Sequence, residues 1–240
     1  MNIFGIRSAR KVVSGSPVVK GIVSPMPVIP SHISRPEYAS NATPHSSKDD
    51  SSVKIYNPKE YPSLRESGKL ARRMLDYAES LAKPGVSTDF IDSMVLKEII
   101  KLGAYPSPVN YYGFPKAICT SVNEVVCHGI PDSRILQEGD MLSIDVSVFY
   151  NGYHGDNCGT VIVGEKKREV DVKLIQATRE ALSKAIGLCK PGTCLSKIGL
   201  SIQTVASTYG FNVVHEFCGH GTLEWKFSCI LTVSSYLSFE

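Results

Sequence analysis

No stretch of this 240-residue chain approaches the roughly 18 consecutive apolar residues that a membrane-spanning helix needs, so no bilayer span is expected. The seven cysteines contain no C-x-x-C pair, which excludes a zinc ribbon or a thioredoxin-type redox motif. Free thiols acting as small buried hydrophobes in a reducing compartment account for them more simply. Also missing are a G-x-S-x-G nucleophile elbow, a phosphate-cradling glycine loop and a dinucleotide fingerprint. His215-Glu216 followed by His220 fails as H-E-x-x-H: the spacing is one residue too long, and Gly219 argues against a helix there.

Acidic residues are scarce at the N-terminus. Residues 1–45 hold Arg7, Arg10, Lys11, Lys20 and Arg35 against Glu37 alone, and they are rich in serine and proline. Such a stretch reads as an organelle transit peptide or as a plain disordered arm. The low-complexity run 40–52 then reads as a linker, with the folded body starting near Val53. Beyond the leader the charge is close to balanced, and nothing suggests a nucleic-acid groove. At 42% hydrophobic and 20% charged, the composition is that of an ordinary globular protein of one large domain or two small ones.

The body repeats itself. Lys83-Pro84-Gly85 recurs as Lys190-Pro191-Gly192, and at the same offset Leu75 matches Leu182, Ala78 matches Ala185, Ile91 matches Ile198 and Gly103 matches Gly210. Each copy reads as a helix, a Pro-Gly stop, and a second helix ended by glycine. In the first helix Ala71, Met74, Leu75, Ala78, Leu81 and Ala82 form an apolar stripe. Thr88 is the expected N-cap of the second, with Asp89 and Asp92 at the positive end of its dipole. Strands follow the first copy. The second copy reaches a strand-like stretch at 211–218, but a second hairpin would fall past Glu240. An α+β fold with an internal pseudo-two-fold repeat and an incomplete second half is expected, with an open apolar face.

The strand-like segment from Asp140 to Tyr150 leads into Asn151-Gly152, the strongest short-range signal for a type I′ hairpin. With those two residues as the loop, Ser147 opposes Asp156 and Asp145 opposes Cys158. Asp145 and Asp156 then become diagonal neighbours on one face. Two carboxylates that close form a platform for a divalent cation, or they are unrelated acids on a solvated hairpin. A one-residue slip would send them to opposite faces. Two histidines also stand out: His128 at the end of an apolar run, and His220 between glycines that allow close backbone approach. Each is a metal ligand or a hydrogen-bonded structural residue. His32 and His45 lie in the leader, and His154 is structural or supports a ligand at most.

Residues 110–134 (NYYGFPKAICTSVNEVVCHGIPDSR), 142–156 (LSIDVSVFYNGYHGD) and 217–221 (FCGHG) closely resemble type I methionine aminopeptidases. GIVSPM at 21–26 is similar to the organelle-targeted branch, mitochondrial or chloroplast. The resemblance covers roughly 53–221 and implies the pita-bread fold of that family. It implies two divalent ions (Co, Mn, Fe or Zn), with Asp145 chelating one, Asp156 bridging both and His220 ligating the other. His128 is implied to contact substrate near the scissile amide, and Tyr111, Phe114 and Cys119 to line the methionine side-chain pocket. The implied reaction is removal of the initiator methionine from nascent polypeptides, by a monomer near the ribosome, with no nucleic-acid or membrane partner.

The resemblance stops after Gly221. A further substrate-contacting histidine and two metal-binding glutamates have no counterpart, and Glu224 and Glu240 lack a matching context. The expected division is therefore 1–52 transit peptide and linker, 53–221 incomplete catalytic domain, and 222–240 divergent tail. With three ligands for two cations, a poorly folded or nearly inactive chain is expected. The rivals are a catalytically dead peptide-binding module of the same fold and an X-Pro aminopeptidase.

Overall fold

The computed structural model describes residues 17–43, 55–214, 217, 219–222, 227–228 and 237–238. The rest of the expected leader and linker, and with them His45, His215, Glu216, Cys218, Glu224 and Glu240, lie outside the described residues. The hairpin is the centre of the fold. Strand β3 (Met141–Tyr150) pairs along its whole length with β4 (Tyr153–Ile162). Asn151 and Gly152 both have positive φ, 51° and 84°, as a type I′ turn requires. The register is the one the turn dictates: Tyr150 opposes Tyr153, Ser147 opposes Asp156 and Asp145 opposes Cys158. The other edge of β3 is shared end to end by β1 (Tyr105–Pro106) and β2 (Cys119–Val122), both antiparallel.

Alternation divides the sheet into two faces. Leu142, Ile144, Val146 and Val148 are fully buried under helix α2 (Tyr61–Leu81), with helix α3 (Thr88–Lys101) packed beside it. Ala71, Met74, Leu75 and Ala78 supply the helix side of this core, as the stripe predicts, while Leu81 and Ala82 only flank it. Close packing needs strand positions without side chains. A Cβ on Gly155 would lie 2.1 Å from the Ser67 backbone oxygen, and one on Gly159 would lie 2.2 Å from a Glu79 carboxylate oxygen. The Ser67 hydroxyl meanwhile donates to the Tyr150 carbonyl at 2.8 Å, fixing the helix to the hairpin end.

Helix α3 starts one residue earlier in its cap than expected. Ser87, extended at φ −84° and ψ 152°, accepts from the Phe90 N–H, whereas Thr88 turns inward and exchanges hydrogen bonds with the Asp132 backbone. Asp92 is buried on this helix and accepts from the Ala117 and Ile118 N–H groups at 2.8 and 3.1 Å, holding the approach to β2. The buried Lys116 Nζ lies 4.0 Å from Asp92 and pairs more closely with Asp89 and Ser24.

The repeat is realised in the helices. α4 (Glu169–Leu188) and α5 (Leu195–Thr208) recur at the offset that separates Lys83 from Lys190, with Gly85 and Gly192, and Gly103 and Gly210, all at positive φ. α5 stacks on α4 over a small separate core of Ala177, Ala206 and Phe211. Among the described residues the expected strand at 211–218 is represented by β5 (Asn212–Val213), paired with a two-residue β8 (Leu237–Ser238). A two-residue β6 (Gly221–Thr222) pairs with β7 (Phe227–Ser228) and lies alongside β4. No described helix is long and apolar enough to cross a membrane.

Residues 17–43 depart from the expectation of a structureless leader. They run over the body as a strap ending in the short helix α1 (Tyr38–Asn41). Ile29, Ile33 and Tyr38 are buried, the first two in a cluster with Tyr105, Val109, Ala117 and Phe149. The Gly21 N–H donates to Asp132 at 2.6 Å, and Ile22 exchanges hydrogen bonds with Ser133. A serine- and proline-rich composition conceals such anchoring because a few apolar side chains suffice when the body supplies the partners.

Two outcomes are expected. Gly155→Ala forces a methyl group into helix backbone and costs about 2–3 kcal/mol of stability, measured by chemical unfolding. Burial first of all raises the Asp92 pKa from an ordinary 3.8 to about 6, against the pull of its two amide donors and Lys116. Stability held by the neutral carboxyl is complete below pH about 4 and lost as pH rises through about 6. Asp92→Asn keeps an acceptor but cannot ionise. It should therefore gain on the order of 2–3 kcal/mol over the wild type between pH 4 and pH 7. A difference independent of pH would contradict this account.

Candidate metal centre and pocket

The sheet face turned away from α2 carries the paired acids. Asp145 on β3 stands in a row between Cys119 of β2 and Cys158 of β4, since both oppose it in register. Asp156 sits one diagonal step along, and its carboxyl lies within hydrogen-bonding reach of that of Asp145. Ser147 Oγ donates to Asp156 Oδ1 at 2.7 Å, fixing that side chain's orientation. Both aspartates are half-buried, so the pair keeps solvent contact from the open face.

No salt bridge reaches either carboxylate among the described residues. Burial, and next the neighbouring Asp156 charge, push the Asp145 carboxyl well above the usual carboxylate range. A pair so placed relieves its repulsion by taking up a proton or a cation. Cys119 and Cys158 offer no anionic help, because burial and then Asp145 push both thiols up and keep them protonated. Two hard oxygens and neutral thiols suit a divalent cation held through carboxylate.

The three residues expected to line the methionine side-chain pocket come from the start of β2 and from the loop ahead of it. Cys119 is buried directly beside Asp145. Tyr111 and Phe114, both half-buried, come from a tight loop in which Asn110, Tyr112 and Gly113 all have positive φ. The loop closes on itself through the Asn110 N–H donating to the Phe114 carbonyl at 2.8 Å. Tyr111 packs edge-on against Tyr112, with ring centroids 4.9 Å apart.

His128 lies in the loop that leaves β2, exposed and with φ of 52°. The turn is clamped by Gly129, whose carbonyl accepts from the Thr120 N–H and whose own N–H donates to Ser121 Oγ. A Cβ at Gly129 would lie 2.2 Å from the Thr120 oxygen, so only glycine lets the imidazole stand where it does. His220 is half-buried and immediately precedes β6, beside the strand that carries Asp156. The structure brings the two aspartates together and, among the described residues, gathers no third ligand with them. Among the described residues no group of three or more His, Cys, Asp or Glu side chains could hold a metal ion.

His154 is structural, as expected. It is buried, bonds Ser107 Oγ through Nδ1 at 2.8 Å, and burial lowers its pKa to about 4, leaving the ring neutral. Sequence reasoning gave no role to Ser147 or Cys158, although the hairpin register already set them opposite the two aspartates. Tyr38 escaped it altogether because it lay in the supposed leader.

The profile of metallopeptidase family M24 matches residues 62–223. A mitochondrial methionine aminopeptidase 1D of Dictyostelium discoideum is 49% identical over 201 residues, covering 84% of this chain and 50% of that protein. A chloroplastic/mitochondrial methionine aminopeptidase 1D of Arabidopsis thaliana is 44% identical over 221 residues, covering 91% of this chain and 62% of that protein. The chain thus spans half to three-fifths of the length of these two relatives. The crystal structure of methionine aminopeptidase from Rickettsia prowazekii superposes with a TM-score of 0.72 at 38% identity, over 77% of this chain and 74% of that one. The architecture is the pita-bread fold these proteins share, and with the paired acids on its open sheet face the chain belongs to metallopeptidase family M24, in its methionine aminopeptidase branch.

Proposed function

We propose that this protein is a metal-dependent aminopeptidase that removes the N-terminal methionine from nascent polypeptides in a mitochondrion or chloroplast. The observation that carries the reading is the Asp145–Asp156 pair, adjacent on one face and without a cationic partner among the described residues. Asp145, Asp156 and His220 are the proposed ligands of two divalent ions, Co, Mn, Fe or Zn. When bound, such ions supply Lewis acidity toward a water and the scissile carbonyl. The protein contributes position and hydrogen bonds. Tyr111, Phe114 and Cys119 receive the methionine side chain, a flexible thioether that packs well against aromatic rings and a soft thiol. His128, free of close packing on its exposed turn, donates to the developing tetrahedral centre or the leaving nitrogen. Ser147 keeps Asp156 aimed at the ligand position. The protein works as a monomer close to the ribosome, with no membrane or nucleic-acid partner.

A second reading, a peptide-binding module without turnover, is favoured by the lack of a three-ligand cluster among the described residues. Release of methionine from Met-Ala-Ser with added divalent metal separates the two. Sustained metal-dependent turnover, lowered on the order of a hundredfold or more by Asp145→Ala, supports the enzyme. Binding without turnover supports the module, and hydrolysis confined to X-Pro peptides overturns the methionine assignment.

Metal removal gives a further outcome. In chelator, Asp145→Asn should raise the melting temperature by about 2–4 °C, the change that about 1 kcal/mol makes in a domain of this size, because it removes the crowded charge. Manganese at about 100 times its dissociation constant should stabilise the wild type by about 2.7 kcal/mol and the variant far less.

A further inference from the structure

The strap ahead of the catalytic body reaches the pocket through one side chain. Tyr38 is buried, and its hydroxyl donates to the Ser107 carbonyl at 2.7 Å. Its ring meets Tyr111 edge-on, with centroids 5.1 Å apart and planes at 83°. On another side it lies nearly parallel to the His154 ring, 6.1 Å away. Asn110, next to Tyr111, donates through Nδ2 to the Ala39 carbonyl at 3.0 Å, so the pocket loop is tied to α1 at two adjacent residues. Ser107 in turn donates its N–H to the Ser147 carbonyl at 2.9 Å, and Ser147 Oγ holds Asp156. One buried phenol therefore touches the pocket wall and anchors to the segment that borders the paired acids. Ile29 and Ile33 keep the strap in the core, which gives the ring a fixed position from which to press on Tyr111.

We propose that Tyr38 is a positioning residue for the methionine side-chain pocket: its ring buttresses Tyr111, and preference for methionine over a branched side chain depends on that contact. This rests on the reading that Tyr111 lines the pocket. Tyr38 touches no substrate. It restricts the freedom of a ring whose own loop carries three left-handed residues in four positions.

The test uses the full chain with manganese and measures L-methionine and L-leucine binding by calorimetry, a readout that does not require turnover. Tyr38→Phe keeps the ring edge and should leave the methionine-to-leucine preference within about twofold of the wild type. Tyr38→Leu fills the space without an aromatic edge and should lower that preference by roughly three- to tenfold, the worth of an aromatic pair. With Met-Ala-Ser as substrate the loss should appear in KM with kcat within about twofold, whereas a merely structural role would lower kcat with both variants. An unchanged preference in Tyr38→Leu overturns the positioning role alone. A wild type that does not prefer methionine overturns the pocket reading and this inference with it. Should Tyr38→Leu fail to fold, fluorine NMR of the 3-fluorotyrosine-labelled wild type decides, the Tyr38 signal being the one missing from Tyr38→Phe. Saturating L-methionine should shift the Tyr38 and Tyr111 signals together, and an unmoved Tyr38 signal overturns the proposal.

Discussion

A strand whose one face is buried under a helix has no freedom of register, and everything at this site follows from that restriction. Leu142, Ile144, Val146 and Val148 are all fully covered. Sliding β3 by one residue would turn the four toward solvent, at about 1.5–3 kcal/mol each, which exceeds or rivals the whole stability of a typical domain. The repulsion between Asp145 and Asp156 is small beside that. The aspartates therefore meet because the apolar residues between them on the chain are committed to the opposite face. Gly155 on β4 completes the constraint by letting α2 settle at backbone distance. The acid pair is thus held in place by residues that never touch it.

The same logic explains which parts of the molecule were legible in the sequence. The hairpin could be read residue by residue because Asn-Gly admits the two positive φ angles of a type I′ turn, and period-two alternation then propagates the register. The helix pairs could be read because glycine at positive φ ends each second helix. The exact start of α3 could not be read. Ser87 and Thr88 are both good caps, and the choice rests on Asp132, a residue far along the chain that takes Thr88 for itself. The strap was misjudged for a related reason. Composition measures what a segment could bury alone, and Ile29, Ile33 and Tyr38 bury themselves in a surface made by others.

Site residues divide along the same line. Asp145, Asp156, Ser147 and Cys158 are related by local register, and spacing suffices to bring them together. Cys119 follows once β2 is known to pair with β3. His128 and His220 sit on loops beyond strand ends, where no periodicity carries a side chain's position, and only the family resemblance singled out their roles. Their glycine neighbours were the available signal. At Gly129 that signal is explained by a backbone contact that any Cβ would break.

The two helix pairs show how far a repeat in sequence determines a repeat in packing. Their lengths, stops and closing glycines correspond, yet their burial does not. In the first pair Leu75, Ile91, Val95 and Ile99 are fully covered by the sheet and by each other. In the second, Ala181, Ala185 and Ile198 are buried at the matching stripe, but Ile186, Leu195 and Leu200 remain 58%, 54% and 64% exposed. A helical pattern specifies which side of a helix is apolar and leaves open what will cover it. The first pair is covered by a hairpin of two ten-residue strands whose register also aligns the acids. Among the described residues the second pair has only its own small core and a two-residue strand. Helix propensity and caps are enough to form α4 and α5, and the sheet is what turns the first pair into the rigid floor of a site. The duplicated element is therefore the helical hairpin, and the paired acids belong to the strands that, among the described residues, cover the first copy alone.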